Sequence, residues 1–116
     1  MRHEELYLND ILEATTHIAD FIHEVDYEGF HDSELLRSAV VQKLSVIGEA
    51  AARLSAELKV RHPEVPWPQI VSFRNILVHA YFGIDWEVVW RAATNRCPTL
   101  RSQIAAILDE DSGGQT

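Results

Sequence analysis

Apolar side chains recur every three or four residues along most of the chain, and this spacing limits the possible fold more than any other feature. The longest stripes span residues 8–25, 36–58 and 86–108. No stretch of the sequence shows the alternation of apolar and polar residues that a half-buried strand requires. Each stripe therefore predicts an amphipathic helix with one buried face.

Prolines mark where these helices stop or bend. A cluster at positions 63, 66 and 68 ends the second predicted helix just after residue 58. Pro68 suits the first turn of a third helix, residues 68–82, because the N–H that proline lacks has no helical partner there. Pro98 lies inside the last stripe, so we expect a kink near Asn95 in the fourth helix.

Short polar side chains mark the helix starts. Asp32 or Ser33 can cap the second helix, and Asp85 can cap the fourth. Four helices joined by short connections predict an all-α antiparallel four-helix bundle. We expect a single domain over residues 1–110 and a disordered polar tail at 111–116.

Composition narrows the class of protein. Acidic residues outnumber basic ones by 18 to 10, and a formal charge of −8 argues against a protein that coats nucleic acid or an anionic membrane. The single cysteine, Cys97, excludes an internal disulfide and a cysteine-based zinc site. The N-terminus lacks the apolar segment of a signal peptide, and apolar runs reach only about five residues. These features predict a soluble cytoplasmic protein.

The predicted third helix has an unusual outer face. At about 100° per residue, one side collects apolar residues expected to face the core: Ile70, Phe73, Ile76, Leu77 and Ala80. The other side sets two valines among polar groups: Val71 and Val78 beside Arg74, Asn75 and His79. A face with an apolar centre and convergent polar groups indicates burial against another protein surface. A second copy of the chain across a two-fold axis would supply that surface. The sequence thus predicts a homodimer with a shared polar site.

Arg74 and His79 suit one kind of chemistry in particular. An imidazole exchanges protons near neutral pH, and a guanidinium offers fixed donors that match phosphate geometry. Together they favour activation of a ribose 2′-hydroxyl against its own phosphodiester, a reaction that needs no metal or cofactor. Asn75 lies four residues before His79, where a hydrogen bond would fix the imidazole tautomer. The same residues also fit an ordinary helix in which Arg74 pairs with an acid and His79 lies near the end.

Three segments together resemble a known family. Residues 73–85 read F-R-N-I-L-V-H-A-Y-F-G-I-D, with arginine, four residues, histidine, one residue and tyrosine in sequence. Residues 47–50 read I-G-E-A, and residues 62–67 read H-P-E-V-P-W. From the first helix to about Leu108, the chain resembles the HepT-like toxins of the HEPN superfamily.

The resemblance implies a metal-independent endoribonuclease toxin that acts as a homodimer on RNA. It makes Arg74 and His79 the expected catalytic residues, in a cleft shared by both subunits, with Asn75 as a supporting polar group. Glu49, in the I-G-E-A segment, either pairs with Arg53 one turn later or orients the catalytic helix.

The resemblance also implies a partner and a modification. The antitoxin of such toxins is an MNT-type minimal nucleotidyltransferase, which transfers AMP to the motif tyrosine, here Tyr81. The added bulk and negative charge would block RNA from the cleft. Two alternatives stay open: a non-catalytic helical subunit that docks with a minimal nucleotidyltransferase, and a purely structural dimer.

Overall fold

The computed structural model describes the backbone of residues 2–79 and 83–113 and the side chains of residues 3–77 and 83–110. Within these ranges the chain forms seven α-helices and one π-helical segment: α1 (Arg2–Phe21), α2 (Tyr27–His31), α3 (Glu34–Arg53), α4 (Ala56–Arg61), α5 (Trp67–His79), α6 (Trp86–Arg91), the π segment (Ala92–Arg96) and α7 (Cys97–Gly113). No strand occurs in the described ranges. The all-α class predicted from the helical spacing is confirmed.

The core lies where α1 packs against α3 and α7, and α3 also packs against α5. Most of its fully buried side chains belong to the predicted apolar stripes: Leu8, Ile11, Ile18, Val40, Leu58 and Ile104. Near the end of α7 the buried residue is Ile107, whereas Leu108, which the stripe predicted, is half-buried. Each fully buried side chain contributes about 1.5–3 kcal/mol relative to leaving it exposed. The helical bundle is therefore held by the stripes that the sequence displays.

The second predicted helix is shorter than expected. Helix α3 ends at Arg53, Leu54 is extended with ψ of 148°, and the Ser55 hydroxyl caps α4 by accepting a hydrogen bond from the Leu58 N–H at 3.1 Å. The Ser55 N–H donates to the Glu4 carboxylate of α1 at 2.6 Å, so this N–H is taken from any continuing helix. The expectation of one helix to residue 58 is wrong, because a local cap competes successfully with propagation.

The same contact affects Glu4 itself. Burial would raise the pKa of Glu4, but hydrogen bonds from the backbone and hydroxyl of Ser55, with Arg61 nearby, lower that pKa below its ordinary value. The first turn of α1 is thus tied electrostatically to the start of α4.

A short helix that the sequence analysis missed connects α1 to α3. Asp26 caps α2 by accepting a hydrogen bond from the Gly29 N–H at 2.8 Å, and Phe30 is fully buried against Trp86 and Trp90. Of the two candidate caps for α3, Ser33 is the one used: its hydroxyl accepts from the Leu36 N–H at 3.1 Å. Five residues are too few for an apolar stripe to predict a helix.

The last helical stretch begins at its predicted cap, since Asp85 accepts a hydrogen bond from the Glu87 N–H at 3.0 Å. The π segment follows α6 and ends just before Pro98, with the Cys97 N–H donating to the Ala92 carbonyl five residues back. Pro98 has no N–H for the Thr94 carbonyl and crowds it, which favours a widened turn there. The kink itself stays a prediction.

The boundaries at the C-terminus differ partly from expectation. Helix α7 continues to Gly113, so residues 111–113 have helical backbone where a disordered tail was expected. Residues 114–116 lie outside the described residues, and the division into a domain and a tail stays a prediction. Among the described helices, none has the length and apolar character needed to cross a membrane. The expected cytoplasmic location also stays a prediction.

Candidate active site

Helices α3 and α5 approach each other closely at Gly48 and Arg74. A Cβ atom on Gly48 would lie 3.0 Å from Arg74 Cγ and still closer to Arg74 Cβ, so a larger residue does not fit. Glycine inside a helix costs up to about 1 kcal/mol relative to alanine. Glycine occurs here despite this cost, because without a Cβ the backbone of α3 can lie directly against the base of the Arg74 side chain.

The Arg74 guanidinium is held by two neighbours. Its Nη1 lies 2.5 Å from Glu49 Oε1 on α3, and its Nη2 donates to Asn75 Oδ1 at 3.1 Å. The Arg74 side chain is 29% exposed and that of Glu49 is 51% exposed. The guanidinium is therefore oriented by charge and hydrogen bonds while part of it faces solvent.

Glu49 also meets Arg53, one turn later on α3. The Arg53 Nε lies 4.0 Å from Glu49 Oε2, and the Arg53 side chain is 62% exposed. Both interpretations of Glu49 thus have a structural counterpart: it pairs with Arg53 at i+4, and it reaches Arg74 on the helix that carries the histidine. Glu49 is half exposed in the protomer.

Two further polar groups lie at this contact, the Asn75 amide and the Arg74 Nε. Asn75 accepts from Arg74, and the bond predicted between Asn75 and His79 stays a prediction because the His79 side chain lies outside the described residues. The Arg74 Nε is buried and finds no acceptor among the side chains and backbone that the structure describes. A buried donor without an acceptor is unfavourable, so this N–H offsets part of the stabilisation that the Glu49 and Asn75 contacts contribute.

The remaining predicted site residues, His79 and Tyr81, follow Arg74 in the sequence. His79 is the last described residue of α5, five positions after Arg74, which corresponds to about 140° of rotation. Tyr81 lies outside the described residues. The structure therefore brings Arg74, Asn75 and Glu49 together, and the placement of His79 and Tyr81 relative to them stays a prediction.

One expectation for the core face of α5 is wrong. Leu77 is buried, with 3% exposure, whereas Ile76 is 55% exposed. The two neighbours differ because α5 packs on α3 along a narrow strip, and a residue 100° away from Leu77 already leaves it. From Arg74 to Ile76, two residues correspond to about 200° of rotation, so the exposed Ile76 lies on the side of α5 away from the Arg74 contact with Glu49.

A cavity of about 350 Å³ lies on the other flank of α5, and the sequence analysis did not identify it. Its apolar lining comes from α3, α5, the π segment and α7: Leu44, Ile47, Ile70, Phe73, Ala92, Cys97 and Leu100. Burial raises the pKa of the Cys97 thiol to about 12, so this sulfur stays protonated and is a poor nucleophile. Only the packing of these four helical elements around the cavity reveals it.

Comparison with known proteins gives the site its context. The model of the "Ribonuclease HepT-like" family matches residues 11–107. The chain belongs to this family. A protein of Thermococcus cleftensis named "Probable ribonuclease HepT" is 37% identical to this HepT-like chain over 97 residues, which make up 84% of the chain and 88% of that protein.

A second relative of the HepT-like chain gives nearly complete coverage. A protein of Methanocaldococcus jannaschii named "Putative RNase" is 33% identical over 106 residues, or 91% of this chain and 97% of that protein. No solved structure matches the chain. The range shared with the HepT-like family contains Gly48, Glu49 and Arg74, so the contact between α3 and α5 lies inside it.

Proposed function

We propose that this HepT-like protein is an endoribonuclease toxin that cleaves RNA without a metal, with Arg74 and His79 as its catalytic residues. One observation carries the proposal: the partly exposed Arg74 guanidinium is fixed by Glu49 of α3 and by Asn75. Arg74 and Asn75 belong to α5, whose last described residue is His79. The ribonuclease names of its relatives support RNA as the substrate.

The proposed reaction uses the substrate's own 2′-hydroxyl. His79 takes the proton from this hydroxyl, whose oxygen attacks the adjacent phosphorus while the bond from phosphorus to the 5′ oxygen breaks. The 5′ oxygen leaves as a hydroxyl after receiving a proton, and the other product carries a 2′,3′-cyclic phosphate. Arg74 stabilises the negative charge that develops on the non-bridging phosphate oxygens.

The contacts of Arg74 suit that role. A guanidinium carries five N–H donors, and Glu49 and Asn75 each engage one, at different terminal nitrogens. The other terminal N–H groups stay available to a phosphate. Because Glu49 and Asn75 already fix the side chain, less conformational freedom is lost when RNA binds. Glu49 and Asn75 are thus proposed as positioning residues.

The proposed active unit is a homodimer in which two copies of α5 face each other. The exposed apolar side chain of Ile76 on α5 supports such an interface, since more than half of its surface is left uncovered by the described residues. Ile76→Asp is expected to give monomers in analytical ultracentrifugation and to abolish cleavage. Val60→Asp, at a position that is 78% exposed on α4, is the control that should stay dimeric and active. A fully active Ile76→Asp monomer would overturn the shared site.

The proposed regulation is AMP transfer to Tyr81 by an MNT-type nucleotidyltransferase antitoxin. The tyrosine oxygen attacks the α-phosphorus of ATP, pyrophosphate leaves, and the phenolic proton passes to solvent. The new phosphodiester adds bulk and negative charge and competes with RNA for Arg74. Intact mass spectrometry after co-expression with the antitoxin should detect AMP on the Tyr81 peptide and none in Tyr81→Phe. An unmodified Tyr81 in an inhibited complex would instead indicate steric blocking.

RNA cleavage by the purified protein in the presence of EDTA tests the central proposal. His79→Ala and Arg74→Ala should each lower the rate by at least about 100-fold, because one removes the proton acceptor and the other the phosphate charge stabiliser. His23→Ala and Arg101→Ala, at exposed positions away from the α3–α5 contact, are matched controls and should cleave normally. Persistent cleavage by His79→Ala would contradict the assignment. Co-purification with a nucleotidyltransferase and no cleavage of any RNA would favour the non-catalytic subunit.

A further inference from the structure

Three charged side chains meet where α3 ends beside α5. The two oxygens of the Glu49 carboxylate join two arginines: Oε1 lies 2.5 Å from Arg74 Nη1, and Oε2 lies 4.0 Å from Arg53 Nε. In the described part of the chain, Glu49 is the only acid within ion-pair distance of either arginine. The cluster therefore carries a local excess of one positive charge in a chain whose formal charge is −8.

The two arginines are held very differently. Arg74 is 29% exposed, and the close approach of α3 and α5 at Gly48 confines the base of its side chain. Arg53 is 62% exposed, and its separation from Glu49 is at the outer limit of an ion pair. Exposed i,i+4 pairs of this kind are weak. An arriving anion can therefore draw Arg53 away from Glu49 at little cost, while Arg74 stays in place.

The end of α3 leaves Arg53 open to such an anion. Arg53 is the last residue of α3, and Leu54 turns the chain into an extended conformation, so no further turn of α3 covers its side chain. The neighbouring basic residues lie elsewhere: Lys43 is ten positions earlier on α3, and Lys59 and Arg61 belong to α4, where Arg61 lies near Glu4 of α1. Arg53 is therefore the basic residue of α3 that pairs with the same carboxylate as Arg74.

We infer that Arg53 is a second phosphate-binding residue of the RNA site, which engages a phosphate next to the one that is cleaved. This inference rests on the proposed endoribonuclease function. Because both arginines lie within ion-pair distance of the same carboxylate, their guanidiniums are close enough to bind two phosphates of one RNA strand. A planar guanidinium can bind a phosphate in a two-pronged manner, whatever the base sequence. Arg53 contributes to RNA affinity, and Arg74 contributes to the reaction.

Binding and cleavage measured side by side separate these two contributions. Binding of a single-stranded RNA is followed by fluorescence anisotropy between 50 and 300 mM KCl in the His79→Ala background, and cleavage kinetics are measured in the active protein. Each phosphate contact on single-stranded nucleic acid contributes about 0.7 to the slope of log K against log salt concentration. Arg53→Gln should lower this slope by at least about 0.7 and weaken binding about tenfold. It should raise KM and leave kcat within about twofold.

Two further variants control this experiment. Arg101→Gln removes another exposed arginine, on α7, and should leave slope, KM and kcat unchanged. Arg53→Lys keeps the positive charge, so it should retain the slope while losing part of the affinity, because an ammonium lacks the planar fork. If Arg53→Gln fails to fold, the comparison of Arg53→Lys with Arg101→Gln tests the inference in its place. Matching unfolding midpoints show that a loss of affinity is not a loss of structure.

The outcomes distinguish the inference from the function on which it rests. A lower kcat with an unchanged salt slope would mean that Arg53 acts through Glu49 on Arg74, and it would overturn a phosphate contact. Normal binding and cleavage by Arg53→Gln would also overturn it and leave the endoribonuclease intact. If the unmodified protein neither binds nor cleaves RNA, the proposed function fails, and this inference fails with it.

Discussion

Helix α5 meets the bundle along two flanks that are packed in opposite ways. On one flank, Arg74 lies so close to Gly48 that a Cβ atom there has no room. On the other flank, Ile70 and Phe73 border a cavity of about 350 Å³. Phe73 and Arg74 are consecutive, so only about 100° of helix rotation separates the close contact with Gly48 from the cavity.

The difference shows which flank fixes the candidate site. Where atoms are in contact at close-packed density, a change of one methyl group must be absorbed by moving a helix. Where a cavity adjoins the helix, an added methyl group can occupy the empty space without moving the helix. The position of the Arg74 guanidinium should therefore depend strongly on the Gly48 flank and weakly on the cavity flank.

The largest effect is expected from Gly48→Ala. Alanine gains up to about 1 kcal/mol in helix propensity, but the added Cβ overlaps Arg74 and should cost about 1–3 kcal/mol. We expect a net loss of about 1–2 kcal/mol in the free energy of unfolding, measured by urea denaturation. Cleavage activity should fall more than tenfold, because Arg74 is displaced.

Gly83→Ala is the matched control for this loss of stability. A Cβ at Gly83 meets no atom of the described residues within 4 Å, so the variant should unfold within about 0.5 kcal/mol of the original protein. If Gly48→Ala were as stable as Gly83→Ala, the close approach of α3 and α5 would not be a constraint on the fold.

A middle-sized effect is expected from the Glu49 ion pairs. A double-mutant cycle of Glu49→Gln with Arg74→Gln should give a coupling of about 1 kcal/mol, because the pair is short and partly sheltered. The cycle of Glu49→Gln with Arg53→Gln should give less than about 0.5 kcal/mol, since that pair is longer and more exposed. Equal couplings would contradict the claim that α3 holds one arginine firmly and the other loosely.

A smaller effect is expected from filling the cavity. Ala92 is 7% exposed in the protomer and lines the cavity, so Ala92→Val adds two methyl groups toward empty space. The free energy of unfolding should change by less than about 0.5 kcal/mol, and activity should be retained. A loss as large as that of Gly48→Ala would show that the two flanks are equally tight.

The smallest effect at neutral pH concerns Cys97, which lines the same cavity. Burial raises the pKa of this thiol from an ordinary value of 9.0 to about 12, so the native thiol is protonated and should react with a disulfide reagent only on unfolding. The folded state retains its proton between pH 9 and 12 while the unfolded state loses it. Stability should therefore fall as pH rises above about 9, and Cys97→Ala should remove part of that fall. Rapid labelling of the native thiol would show that the cavity admits solvent.

The sequence predicted most of the fold because each long helix carries its own signal. The apolar stripes identified most core residues of α1, α3 and α7, and the side chains of Ser33 and Asp85 marked two helix starts. The break at Leu54 was not predictable, because Leu54 and Leu58 are both buried and continue the stripe without interruption. The signal that decides it, Glu4 on the Ser55 N–H, comes from a residue 51 positions away.

The candidate site was predictable in part for the same reason. Arg74, Asn75 and His79 follow one another on a single helix, so helical geometry alone groups them. The contact of Arg74 with Glu49 depends on how two helices pack, and only the family resemblance had drawn attention to Glu49. The exposure of Ile76 and the cavity beside Phe73 are likewise products of helix packing, which one-dimensional spacing does not contain.

The π segment before Pro98 has a consequence for how the chain length can vary. Its hydrogen bond from Cys97 to Ala92 encloses one residue more than an α-helical turn does. Deleting one residue between Ala92 and Arg96 would close an ordinary turn and leave the buried face of α7 pointing into the core. The same deletion in α1 or α3 would rotate every later residue of that helix by about 100°. A single-residue deletion is therefore tolerated more easily here than within α1 or α3.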